Sequence, residues 1–207
     1  MHVLGKGLAA ADSSHAVDSQ ALISAISPTE GSTYGGTLVT ITGHGFKANS
    51  TVTIDGDTCG ITMESATTIE CETLAHVTGA VSVAVTSNGV TYPSTTFTFS
   101  TAATPSVTSI NPTDGQAGAT VVITGTGFSA TASDNTVQIG GVAATVSGAT
   151  TTSLTIILGN QITGIFPVVA DVSGLGLSND DVTFEYTLGN ANINPTTGKL
   201  KAVEANI

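Results

Sequence analysis

The chain has 207 residues, 40% hydrophobic and 9% charged, with 24 glycines and no tryptophan; that is room for one large domain or two small ones, and too apolar for a disordered chain. Fifteen acidic side chains against four lysines and no arginine leave a net charge of -11, which excludes a phosphate-binding surface, and with it nucleic acid, and disfavours an anionic membrane. No apolar run approaches the roughly 20 residues that span a bilayer, so membrane insertion is not expected.

Residues 1–20 read as an N-terminal arm. Its short apolar patch, with Val3, Leu4, Leu8 and one lysine, lacks the h-region of a signal peptide. The stretch HVLGKGLAA (2–10) loosely matches TITGHGFKA (40–48) further on.

From residue 21 the sequence repeats itself. Ile26-Ser27-Pro28 returns as Ile110-Asn111-Pro112 and again as Ile193-Asn194-Pro195. GGTLVTITGHGF (35–46) returns as GATVVITGTGF (118–128), and the stretch 49–71 matches 134–156. Such self-similarity marks repeated structural units. It divides the chain into an arm (1–20), a first domain (21–101), a second domain (102–188) and a tail (189–207) that starts a third copy. The Pro-containing stretch STAATPS joins the two full copies.

Within the first copy, LVTIT (38–42), TVTI (51–54), TTIEC (67–71), AVSVAVT (80–86) and TTFTFS (95–100) alternate apolar with small or polar residues. A period of two means strands with one buried face. Asn88-Gly89 is a hairpin signal, because tight primed turns need positive φ. About seven short strands in some 80 residues is the pattern of an immunoglobulin-like sandwich.

The motif I-S-P-x-x-G…G-G-T-x-V-T-I-T-G-x-G-F…V-x-I-x-G, carried by both copies, resembles the IPT/TIG family of immunoglobulin-like domains. The expected fold is therefore all-β: two tandem sandwiches with extended, strand-like terminal segments. Pro28 and Pro112 are expected to end the first strand. Gly43, Gly45, Gly125 and Gly127 suit a sharp bend or bulge, and Phe46 and Phe128 would anchor the cores.

Cys59 and Cys71, the only cysteines, fall in neighbouring expected strands, and the second copy has Ala144 and Ile156 there. The family often carries a cystine at this place, so the resemblance implies a disulfide. Two free buried thiols are the alternative. A disulfide implies an oxidising compartment, hence an extracellular or cell-surface location. Asn49-Ser50-Thr51 is a glycosylation sequon on an expected loop.

No constellation for catalysis is present. His2, His15, His44 and His76 stand in no zinc spacing and beside no Ser/Asp arrangement. His44, between two glycines, reads as an exposed loop residue. Asp55 with Asp57, and Asp180 with Asp181, are pairs, and calcium needs six or more oxygens; they read as solvated turn charges. No metal, cofactor or enzyme activity is expected. The family's Rel-type transcription factors touch DNA, which this charge excludes; its extracellular members use the domain as a spacer or a protein-binding module.

The tail ANINPTTGKLKAVEANI (191–207) begins the motif without continuing it. Two strands make no sandwich, so the tail would need a partner. Three of the four lysines, Lys6, Lys199 and Lys201, lie in the termini; between 21 and 190 the only one is Lys47. The expectation is a non-catalytic extracellular structural protein that assembles head to tail into a homopolymeric filament by strand addition. Ile193, Pro195, Leu200, Ala202 and Val203 in the tail, with Val3, Leu4 and Leu8 in the arm, would be the subunit contacts. The alternative is an adhesion or ligand-binding ectodomain fragment of a longer multi-repeat cell-surface protein, meeting other surface proteins or glycans. An accessory carbohydrate-binding module of an enzyme is the third reading.

Overall fold

The computed structural model describes residues 22–92 and 95–187. The arm and the tail, with all eight expected subunit-contact residues, lie outside them.

The first domain is built from β1 (Leu22–Ser27), β2 (Glu30–Gly31), β3 (Leu38–His44), β4 (Thr51–Ile54), β5 (Asp57–Glu64), β6 (Thr68–Glu72), β7 (Gly79–Ser87), β8 (Val90–Thr91) and β9 (Thr95–Phe99). The second repeats the plan with β10 (Ser106–Asn111), β11 (Asp114–Gly115), β12 (Thr120–Thr126), β13 (Asn135–Ile139), β14 (Val142–Thr150), β15 (Ser153–Ile157), β16 (Gly164–Val172), β17 (Gly176–Leu177) and β18 (Thr183–Tyr186). A single 3-10 turn at Ala132–Asp134 is the only helical element among the described residues.

Alternation decides which side chains face inward. Val39 and Ile41 on β3, Val52 and Ile54 on β4, Val83 and Val85 on β7, and Phe97 and Phe99 on β9 form one core. Val121, Ile123, Val137, Ile139, Leu154, Ile156, Val168, Ala170, Phe184 and Tyr186 belong to a second, separate one. Two cores in tandem make two domains.

Strand order in the first domain is β1-β3-β6-β5-β4-β7-β9-β2, with β8 on β7, and the second domain copies it. Pro28 and Pro112 stand where the first strand changes layers. β1 pairs antiparallel with β3 up to Ser27, and β2 then pairs parallel with β9. Among the strands outside the alternating runs of the sequence is β5, which was expected only as a strand holding Cys59. It pairs with β4 up to Cys59 and with β6 from Gly60 onward, through a register shift between Ile61 and Met63. A strand that serves both layers cannot keep one clean alternation, which is why DTCGITME does not read as one.

The paired glycines have two different causes. Gly45 and Gly127 take positive φ, 79° and 76°, after β3 and β12, a turn conformation that disfavours a Cβ. Gly43 and Gly125 lie within strands opposite the register shifts in β1 and β10. A Cβ on Gly43 would strike the Leu22 carbonyl oxygen and the ring of Phe46; one on Gly125 would strike the Ser106 carbonyl oxygen and the ring of Phe128. These glycines let a phenylalanine fold back over the strand, and Phe46 and Phe128 are both buried. Asn88 and Gly89, with φ of 51° and 76°, form the two-residue turn between β7 and β8. His44 is exposed but closes β3, paired with Leu22, and is not a loop residue.

Candidate functional site

The most developed polar arrangement in the described residues is the joint between the domains. The first-domain loop from β2 to β3, STYGGT (32–37), meets the second-domain turn SGLGL (173–177). Their backbones bond as neighbouring strands do: Ser32 N–H donates to Leu175 O at 3.1 Å, and Leu177 N–H donates to Gly35 O at 2.9 Å. Two hydroxyls add to this. Thr37 Oγ1 donates to Leu175 O at 2.6 Å and Ser32 Oγ to Leu177 O at 2.5 Å. Ser32 and Thr37 are fully buried, so each hydroxyl needs its partner.

Glycines permit the close approach. The Cβ of any other residue at Gly176, whose φ is 100°, would lie 2.5 Å from Gly35 O and 2.7 Å from Thr37 N. A Cβ on Gly36 would lie 2.8 Å from Leu177 Cγ. The linker is tied to the same loop, since Thr33 N–H donates to Thr104 Oγ1 at 2.9 Å. One like-charge approach opposes these bonds. Burial, and then the Glu72 carboxylate of the first domain, raise the Asp171 pKa above the usual carboxylate value.

Beside the joint, the loop after β6 is pinned by His76. Its ring stacks on Phe99 with centroids 4.8 Å apart. Nδ1 lies 2.8 Å from Val77 O, and Nε2 lies 3.1 Å from Asp55 Oδ2 in the β4–β5 turn. Only the imidazolium donates from both nitrogens, and the His76 pKa is raised, first by the Val77 carbonyl and then by Asp55. In the second domain Gln161 does the equivalent work, with Nε2 3.4 Å from Ile139 O and 3.5 Å from Gly140 O.

Cys59 and Cys71 are joined as a disulfide, with Cα atoms 5.6 Å apart, and both are buried. The bond ties β6 to the point where β5 changes layers. Ala144 and Ile156 hold the matching places in the register of the second domain. Asn49 is exposed, with φ of 68°, and Glu64 accepts hydrogen bonds from the backbone of Asn49 and Ser50 at 3.1 and 2.9 Å. Asp55, Asp57, Asp180 and Asp181 are exposed, and among the described residues no three His, Cys, Asp or Glu side chains gather as metal ligands.

The joint was not foreseen from the sequence. Its trace is there: Gly31 to Val39 spans STYGGTL, whereas Gly115 to Val121 spans only QAGAT.

Comparisons with known proteins agree with this architecture. Fibrocystin-L of Homo sapiens is 36% identical over 177 residues, covering 85% of this chain. Fibrocystin-L of Mus musculus matches at the same identity and coverage. The chain spans 4% of the length of these relatives. The solved extracellular region of plexin A4 has the same fold, with a TM-score of 0.51 and 22% identity, covering 82% of this chain and 16% of that one. The model of the IPT/TIG domain matches residues 21–100 and 105–186, one match for each sandwich. With the repeated motif, the two cores and the shared strand order, this makes the chain a member of the IPT/TIG domain family, in two tandem copies.

Proposed function

We propose that this chain is a non-catalytic, stiff two-domain segment of an extracellular or cell-surface protein, one that sets the spacing and direction of whatever adjoins it. The observation that carries this reading is the joint. Domains on one chain move relative to each other by default, whereas here buried hydroxyls and strand-like backbone bonds tie loop 32–37 to turn 173–177. Each such bond contributes about 1 kcal/mol net, and its loss would leave a buried polar group unpaired. The disulfide, the exposed sequon at Asn49 and the likeness to fibrocystin-L support a surface location and an ectodomain role.

Residual dipolar couplings test it. In the intact chain both domains should report one alignment tensor. Gly176→Ala should give two different tensors while each domain keeps its own spectrum. Two tensors in the unaltered chain would overturn the stiff-segment reading.

Assembly is a second reading, favoured by the recurrence of Ile193-Asn194-Pro195 in a tail that also carries Lys199 and Lys201. The tail of one copy would add as a strand to the next, head to tail, forming a filament. Electron microscopy of the intact chain beside a variant lacking 191–207 decides it. Filaments from the first and single particles from the second support assembly; single particles from both refute it.

A further inference from the structure

The lengthened loop builds a cleft as well as the joint. The cleft has a volume of about 310 Å³ and takes its lining from three places. Thr33 and Tyr34 come from the first domain, Thr101 and Ser106 from the linker region, and Asn179 and Asp181 from the second domain. That volume is at the small end for a ligand site.

Some of the lining groups are committed to holding the walls. Thr33 N–H donates to Thr104 Oγ1, and the Thr104 hydroxyl donates to Ser100 O at 2.8 Å. Asn179 is fully used, with Oδ1 accepting from Val107 N–H at 2.7 Å and Nδ2 donating to Val107 O at 3.0 Å. Asn179 Nδ2 also reaches Asp181 Oδ2 at 3.3 Å, which orients that carboxylate. The remaining groups have no hydrogen-bond partner among the described residues: the Tyr34 phenol, the Thr101 and Ser106 hydroxyls, and Asp181 Oδ1. Tyr34 is 42% exposed, a large ring left open to solvent.

No lysine, arginine or histidine lines the cleft, so it has no attraction for an anion. An aromatic face, two free hydroxyls and one oriented carboxylate form a complementary set for a molecule with an apolar face and several hydroxyls at its edge. We propose that the cleft binds a short neutral saccharide, with one pyranose face against Tyr34 and its hydroxyls shared among Asp181, Ser106 and Thr101. The carboxylate would accept from sugar hydroxyls, a charge-assisted bond stronger than a neutral one. The second domain cannot repeat this device, because its shorter loop has Gln116 and Ala117 and no aromatic residue.

This inference rests on the joint being stiff, since both domains line the cleft. The test is saturation-transfer NMR of the intact chain with methyl glucoside, N-acetylglucosamine, lactose, cellobiose and mannobiose, with a sulfated chondroitin disaccharide as the anionic comparison. At least one neutral sugar should give transfer in the millimolar range, and the sulfated one should give none. Backbone shifts should be confined to residues 33–34, 101–106 and 179–181. Tyr34→Ala and Asp181→Asn should each weaken binding roughly tenfold or more, about 1.4 kcal/mol, with melting unchanged. Asp181→Asn alters an exposed side chain and keeps the test decisive if Tyr34→Ala fails to fold. No transfer from any neutral sugar, or binding indifferent to both variants, overturns the proposal. A single alignment tensor without sugar binding overturns the cleft and leaves the stiff segment standing.

Discussion

Between Gly31 and Val39 the first domain carries STYGGTL, and between Gly115 and Val121 the second carries QAGAT. Both loops are anchored the same way at their ends: Gly36 N–H donates to Thr73 O at 2.8 Å, and Gly118 N–H donates to Leu158 O at 3.0 Å. What differs lies between the anchors. The first loop adds buried hydroxyls at Ser32 and Thr37 that receive the other domain; the second has Gln116 and Ala119 in the corresponding stretch. Folding one sandwich needs only the shared part. The joint uses hydroxyls at Ser32 and Thr37, where the second copy has an amide and a methyl group.

The same contrast recurs inside the domains. One is held by Cys59–Cys71, the other by Ala144 and Ile156 packing in the core. Replacing both cysteines by alanine removes a cross-link between residues 12 apart. For a loop of that size the loss is about 3 kcal/mol. In a thermal scan the first domain's transition should fall by many degrees and the second's should stay in place. If both fall together, the joint makes them one cooperative unit and the contrast between the domains disappears.

A smaller effect of opposite sign is expected in the second domain. The buried Tyr186 hydroxyl has no hydrogen-bond partner among the described residues, and burial raises its pKa. The first domain has Phe99 at this place, packed edge-on against Phe97 as Tyr186 packs against Phe184. Tyr186→Phe should stabilise the second domain by about 1 kcal/mol, read as a higher denaturant midpoint with an unchanged slope. A lower midpoint would show that the hydroxyl has a partner.

The smallest difference is in pH response. His76 has its pKa raised above 6.5, chiefly by the Val77 carbonyl and then by Asp55, with Asp57 adding a weaker pull. A group whose pKa is higher in the folded than in the unfolded state contributes its full stability below the unfolded pKa. That contribution is lost as pH rises through the folded value. The first domain should therefore weaken slightly as pH rises from about 6.5, and His76→Gln should flatten the profile. Gln161 holds the same place in the second domain and does not titrate, so no such slope should come from that position. A His76→Gln profile with the original slope would remove His76 as the cause.

Much of the fold was legible because the residues carrying it act locally. The alternation in LVTIT and TVTI put Val39, Ile41, Val52 and Ile54 on one face. Asn88-Gly89 named its own turn, and the repeat of Pro28 at Pro112 marked where each first strand ends. Of β5 only a strand around Cys59 was legible and not its length, since its halves answer to different sheets. Gly43 was read as a bend or bulge, and it does lie opposite a register shift in β1, but that a Cβ there would meet Phe46 is something only packing reveals.

By itself the sequence determined the repeat, the two cores and the family, because periodicity and turn chemistry are sums over neighbouring residues. Tertiary structure decided that Ser32 and Thr37 reach Leu175 and Leu177 across well over a hundred residues. It decided that Glu72 faces Asp171, and that Tyr34 and Asp181 share a cleft. Those pairings depend on how one folded body seats on another, and side chains distant along the chain record no mutual pattern in the order of their residues.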